Sequence, residues 1–188
     1  MEKGLLIILS GLSGVGKGTI RKHIMRDKSI SLSYSISMTT RSPREKEKDG
    51  VDYYFVSEEE FQRNIDEDNF LEWAEFVGHR YGTPKSHVED LRNKGINVFL
   101  EIEVNGASQV LAKAKDDRVV SIFLMPPSLK ALEDRIRKRR TEDEELIQAR
   151  LAKGRSEMNL ADHYQYVVIN TRVKKAAQEI VDIIKSRL

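Results

Sequence analysis

The chain has 188 residues, long enough for one domain with a sizeable core, and its 39% hydrophobic and 33% charged residues fit a soluble globular protein. Lys and Arg number 32 against 30 Asp and Glu, a formal net charge of +2, which argues against a general nucleic-acid binder. The absence of Cys excludes disulfides and thiolate metal sites and fits a cytoplasmic setting, and no apolar run approaches the roughly 18 residues of a membrane span.

The opening Met-Glu-Lys-Gly carries no signal-peptide h-region, so the first apolar run, Leu5–Leu9, is expected to be a core strand. It empties into Ser-Gly-Leu-Ser-Gly-Val-Gly-Lys-Gly-Thr at residues 10–19. A strand, a glycine-rich turn and a lysine at the expected start of a helix make a phosphate-binding loop: backbone N–H groups converge on an anion and the helix N-terminus adds partial positive charge. Gly11, Gly14 and Gly16 permit the backbone angles and close approach, and Lys17 supplies a cation for the outer phosphates. Gly18 stands where Ser or Thr usually follows the lysine, and Thr19 comes one position late. An ordinary glycine-rich strand–helix turn is the bland alternative.

The segment from about residue 31 to residue 82 has a different character. Ser33–Ser37 alternates polar with aromatic or aliphatic residues, Asp52–Val56 is aromatic and β-rich, and Ser57 with Glu60 makes a capping box for a short helix through Phe61 and Ile65. Short strands with polar faces point to an insertion, more antiparallel in character, packed on a main sheet. Beyond it, Thr83-Pro84 reads as an N-cap and a first-turn proline of a helix that Gly95 closes. Asn97–Ile102, Val119–Met125 and Tyr166–Ile169 are further apolar runs without clean alternation, as expected of parallel strands covered on both faces. Ser128 caps a helix bearing Leu129, Leu132 and Ile136, Thr141 with Glu144 forms another capping box, and a stripe from Val173 to Ile184 marks a last amphipathic helix. The pattern is an α/β core with right-handed crossovers and an inserted subdomain.

Glu101 and Glu103 lie near the carboxyl end of one strand, on the same side by alternation, where a carboxylate can hold water around magnesium. Arg41 and Arg44, three residues apart around a proline, suit a second phosphate through planar bidentate pairing. Glu72, beside Trp73 in an otherwise apolar segment, can accept both N1–H and the exocyclic amine of a guanine edge, a pattern adenine does not offer. Taken singly, each of these is more often a surface ion pair or a packing residue.

Taken in order, the loop, Ser-Met-Thr-Thr-Arg-Ser-Pro-Arg, Asp-Tyr-Tyr-Phe, Leu-Glu-Trp-Ala, Tyr-Gly-Thr-Pro, Phe-Leu-Glu-Ile-Glu-Val-Asn-Gly and Met-Pro-Pro-Ser resemble the guanylate kinase family from about residue 4 to the end. The resemblance implies an α/β three-layer P-loop fold with a central parallel five-stranded sheet, an inserted mixed α/β GMP-binding subdomain and a helical lid. It implies a single domain over 1–188, with core at about 1–33, 83–126 and 157–188, insertion at about 34–82 and lid at about 127–156. The implied reaction is in-line transfer of the ATP γ-phosphoryl group to GMP, and to dGMP, with Mg2+ as cofactor, in a cytoplasmic monomer or homodimer without nucleic-acid or membrane partners.

Residue by residue, the resemblance gives Gly11, Leu12, Ser13, Gly14, Val15, Gly16, Lys17, Gly18 and Thr19 to the ATP phosphates and Asn170 to the adenine pocket. Ser37, Arg41, Arg44, Tyr53 and Tyr81 would hold the GMP phosphate, and Glu72, Thr83 and Glu103 would read the base. Glu101 would serve the Mg2+ shell through water, with Thr19 as a further metal contact. Lys17, Arg44, Arg135, Arg139 and Arg150 would carry catalysis by neutralising charge, the last three from the lid. The chain departs from the family pattern at Leu12, Lys46, Lys138, Arg140 and Thr171, and carries Glu101 and Glu103 where aspartates are more common. Two other readings stay open: a phosphopeptide-binding module of the same fold, and a monophosphate kinase of other base specificity.

Overall fold

The computed structural model describes residues 2–76, 78–114, 116–138 and 143–188. In chain order the elements are β1 (Leu6–Gly11), α1 (Lys17–Ile24), β2 (Leu32–Tyr34), β3 (Met38–Thr39), β4 (Tyr54–Phe55), α2 (Glu58–Asp66), β5 (Phe70–Phe76) and β6 (His79–Pro84). They continue with α3 (Lys85–Asn93), β7 (Asn97–Glu101), α4 (Val104–Lys113), β8 (Val119–Met125), α5 (Leu129–Lys138), α6 (Glu144–Met158), β9 (Tyr166–Ile169) and α7 (Val173–Lys185).

Two sheets organise these elements. The first has five strands in the order β2-β7-β1-β8-β9, every pairing parallel. All six residues of β1 are buried, as a central strand covered on both faces requires, which is why its sequence shows no alternation. Helices α1 and α7 pack together on one face. The crossover carrying α4 runs the opposite way along the sheet and puts that helix on the other. Between them lies an apolar core running from Leu5 through Ile8, Phe99, Ile122 and Phe123 to Ile180 and Ile184. The second sheet has the order β4-β3-β6-β5 and mixes parallel β3–β4 with antiparallel β3–β6 and β5–β6 pairings. Helix α2 rests on it through Phe61, whose ring stacks 4.6 Å from that of Phe70.

Three local readings of the sequence change. The polar alternation that sets residues from about 31 apart begins in Leu32–Tyr34, which is the edge strand of the five-stranded sheet; three half-buried residues at an edge carry the pattern of a solvated strand. Thr83 is no helix cap: it lies within β6, its hydroxyl is bonded elsewhere, and Pro84 stands at the α3 N-cap without a side-chain cap. Thr141 lies outside the described residues, and α6 is capped by Asp143, whose carboxylate accepts from the Leu146 N–H. Ser57 and Ser128 cap as expected, accepting from Glu60 and Ala131, and Gly95 follows α3 at φ 76°.

Candidate active site

The carboxyl ends of β1, β7 and β9 meet at one edge of the main sheet, where open α/β sheets bind ligands. The loop after β1 lies there. Gly11 sits at φ 146°, and a Cβ on it would fall 2.3 Å from the Leu124 carbonyl oxygen, so β1 keeps its place beside β8 only with glycine. Gly16, at φ 104°, is the N-cap of α1 and offers no side chain to the first turn, leaving its N–H groups aimed into the loop. Lys17 opens the helix and is only 7% exposed. Its Nζ curls back to donate to the Gly11 and Leu12 carbonyls at 2.7 and 3.2 Å, with the Glu103 carboxylate 3.4 Å away.

Leu12 is fully buried and approaches α6 at Gly154, so it anchors the loop to that helix by packing. On the other flank the Asn170 side chain, 2% exposed, donates to the Val15 carbonyl at 2.9 Å. Arg135 donates to the Val15 and Asn170 carbonyls at 2.9 and 2.6 Å, bracing the loop against the end of β9. Arg150 reaches Ser13 Oγ at 3.3 Å from α6. Arg139 and Arg140 lie outside the described residues.

Glu101 ends β7 with its carboxylate beside Gly18 of α1. Glu101 Oε2 accepts from Arg21 Nε at 2.6 Å, and the Arg21 guanidinium lies 4.4 Å over the Tyr34 ring. Burial, with Glu101 nearby, pushes the Tyr34 hydroxyl up to about 12. Thr19 is exposed on the first turn of α1. A carboxylate beside the loop is a hard-oxygen donor of the kind that suits Mg2+, which keeps most of its water and takes its remaining ligands from phosphates.

Next to the loop opens a cleft of about 670 Å³ between the two sheets, lined by Ser37, Tyr53, Glu72, Tyr81, Glu101 and Glu103 among others. The Tyr53 and Tyr81 rings meet edge-on at 6.0 Å. Glu72, 7% exposed, accepts a hydrogen bond from Thr83 Oγ1 at 2.5 Å, so Thr83 stands behind the carboxylate. Burial pushes the Glu72 carboxyl above its ordinary range, against the pull of side-chain and backbone hydrogen bonds from Thr83. Because the folded carboxyl keeps its proton to higher pH than the unfolded one, stability falls as pH rises through that window. Glu72→Gln removes the buried charge and is expected to melt at a higher temperature than the parent at neutral pH. The gap should close as pH drops into the carboxylate range. Thermal melts across pH check this, and a variant that melts below the parent at neutral pH would contradict it.

Arg41 lies 5.4 Å over the Tyr53 ring and pairs through one nitrogen with both oxygens of Glu47, at 2.9 and 2.8 Å. Glu47 also accepts from the Arg44 backbone N–H at 2.8 Å, while the Arg44 side chain is exposed on the same loop. Sequence reasoning missed Glu47, although a carboxylate three residues past the second of two paired arginines was a visible signal. It missed Arg21 and Tyr34 as well: Arg21 reaches Glu101 from α1, and Tyr34 comes to the site through the parallel packing of β2 on β7.

Comparison with known proteins agrees with this arrangement. A family model described as guanylate kinase matches residues 3–187. The chain is 52% identical over 184 residues to a guanylate kinase of Mycoplasma capricolum, covering 98% of this chain and 61% of that one. It is 50% identical over 185 residues to a guanylate kinase of onion yellows phytoplasma, covering 98% and 87%. The mycoplasma relatives are thus longer than this chain, which spans 61% of their length. The crystal structure of guanylate kinase from Anaplasma phagocytophilum superposes with a TM-score of 0.75 at 32% identity, covering 98% of this chain and 86% of that one. With loop, cleft and acidic strand end in one sheet-edge site and the match running through residues 3–187, the chain belongs to the guanylate kinase family.

Proposed function

We propose that this chain transfers the γ-phosphoryl group of ATP to GMP, and to dGMP, giving the diphosphate, as a cytoplasmic enzyme of purine nucleotide metabolism. The observation that carries the base specificity is the buried Glu72–Thr83 pair in a cleft beside the phosphate-binding loop. An ionised carboxylate there accepts the N1–H and the exocyclic amine of guanine, and Glu103 on the adjoining turn adds an acceptor. Ser37, Tyr53, Tyr81 and the arginines of residues 41 and 44 take the GMP phosphate, with Arg41 exchanging Glu47 for it. Residues 11–19 take the ATP phosphates, and Asn170 borders the adenine.

Phosphoryl transfer asks for in-line placement and charge neutralisation more than for a base. Lys17 gives its ammonium to the phosphate in transit; Arg135, Arg139 and Arg150 close over it from a lid at about 127–156. Glu101, through water, and Thr19 would hold Mg2+, which would supply positive charge against the phosphates. The core at about 1–33, 83–126 and 157–188 carries the ATP side and the insertion at about 34–82 carries GMP.

A coupled ADP-release assay with ATP and Mg2+ against AMP, CMP, UMP, GMP and dGMP tests the reading. Turnover is expected with GMP and dGMP alone. Turnover of AMP without GMP would replace the specificity. No turnover with retained phosphopeptide binding would favour the binding-module alternative.

A further inference from the structure

The carboxylate that reads the base is poorly fixed by its own sheet. Glu72 lies on β5, an edge strand, and the β5–β6 register shifts between Phe70 and Glu72. A shift at that point threatens orientation, because a slip of one residue turns a strand side chain to the other face. The Thr83 hydroxyl donates to Oε1. The hairpin ladder runs regularly from Glu72 to Phe76 but is broken just before it, so the strand is held less firmly at Phe70–Glu72 than an unbroken ladder would hold it.

Helix α4 supplies what is missing. Gln109 grips the main chain next to Glu72 with both ends of its amide: Oε1 accepts from the Trp73 N–H at 3.2 Å and Nε2 donates to the Trp73 carbonyl at 2.9 Å. One turn further on, Lys113 Nζ donates to the Phe70 carbonyl at 2.9 Å, on the other side of the irregularity. One turn back, Gly106 lies against the carboxylate itself, and a Cβ there would fall 2.6 Å from Glu72 Oε2 and 3.1 Å from Cδ. Residues 106, 109 and 113 share one helical face. The same helix begins directly after Glu103, which lines the cleft beside Glu72.

We infer that Gly106 and Gln109 are positioning residues for base recognition, setting the place and orientation of Glu72 from the core helix α4. The inference rests on the proposed role of Glu72. Gly106 acts by leaving volume for Oε2, and Gln109 by locking β5 at Trp73. Because α4 starts at Glu103, one rigid element spaces both carboxylates for one purine.

The test uses the full chain with steady-state kinetics on GMP and on inosine monophosphate, which lacks the exocyclic amine that Glu72 would receive. Gly106→Ala and Gln109→Leu are expected to raise KM for GMP and to lower the preference for GMP over the inosine nucleotide, each on the order of tenfold. KM for ATP and kcat at saturation should stay within about twofold, a split that general loss of structure would not give. Combining Gly106→Ala with Glu72→Asp, whose shorter side chain withdraws from the added methyl, should give less than the product of the two effects. Alanine favours a helix interior over glycine, which offsets part of the cost of crowding the buried carboxylate. Should that variant fail to fold, Gln109→Leu carries the test, since it adds no atoms beside Glu72.

Glu72→Gln is the reference arm. If it shifts the base preference while both α4 variants keep that of the parent, the inference fails and the role of Glu72 stands. If Glu72→Gln leaves the preference unchanged, the role of Glu72 fails and the inference with it. An equal loss of KM for ATP, KM for GMP and kcat in the α4 variants also overturns it.

Discussion

Lys17→Met is expected to lower kcat by about two to three orders of magnitude while the fold and the melting temperature change little. The methionine keeps the buried stem, so the packing of the first turn of α1 persists. What disappears is an ammonium held in place before any substrate arrives, by the Gly11 and Leu12 carbonyls and the Glu103 carboxylate. A charge already oriented and desolvated needs little rearrangement when negative charge develops on the phosphoryl group, and losing one such donor from a site costs about 3 kcal/mol of transition-state stabilisation. The ground-state penalty is smaller, about 1 kcal/mol for the lost hydrogen bonds, because Glu103 is 59% exposed and water replaces its partner. Turnover at saturating ATP and GMP, with a thermal melt as control, checks the split. A folded variant with parental kcat would remove Lys17 from the chemistry.

The largest expected effect on stability lies on the far side of the molecule. Arg92 is 1% exposed, and its guanidinium joins three segments: the Gly4 carbonyl at 3.0 Å, Glu89 at 2.8 Å and Asp116 at 2.8 and 3.0 Å. Arg92→Met keeps the aliphatic volume and breaks every one of these bonds. Both carboxylates are about one-third exposed and retain Lys3 as a partner, so the loss falls below that of a fully buried pair, at about 2–3 kcal/mol. For a chain of this size that lowers the melting temperature by roughly 4–12 °C.

The pH dependence adds a sign. Burial alone raises the Glu89 and Asp116 carboxyls, but hydrogen bonds outweigh it, from Lys3 and Arg92 at Glu89 and chiefly from Arg92 at Asp116, and hold both below the ordinary range. A depressed carboxyl contributes stability above its unfolded pKa and loses it as pH falls through the folded one. The gap between parent and variant should therefore narrow in acid. Equal melting temperatures at neutral pH would show that Arg92 stabilises nothing.

Much of the architecture was legible in the sequence. Val119–Met125 and Tyr166–Ile169 appear as strands with the bounds their apolar runs indicate, but only the first is covered on both faces; β9 lies at the sheet edge and leaves Val167 and Ile169 exposed. The loop at 10–19 was legible because its glycines meet local backbone demands at Gly11 and Gly16. What stayed hidden depends on partners far away in the chain. Thr83 before Pro84 carries the local signature of a helix cap, and only the return of β5 alongside β6 turns its hydroxyl to Glu72. Arg92 meets Gly4 across 88 positions, and nothing in the neighbourhood of either residue marks the pair. Gly106 reads as a weak spot in a helix until the carboxylate beside it is placed.

The clamp of Gln109 on Trp73 also has an optical consequence. Trp73 is the one tryptophan of the chain, with its ring edge-on to Phe61 at 6.4 Å and its main chain held by α4. Its emission therefore comes from a single point, the seam between core helix and second sheet, one residue from Glu72. A rapid-mixing fluorescence trace on this protein records events on the nucleoside-monophosphate side undiluted by any other indole, and needs no label to do so.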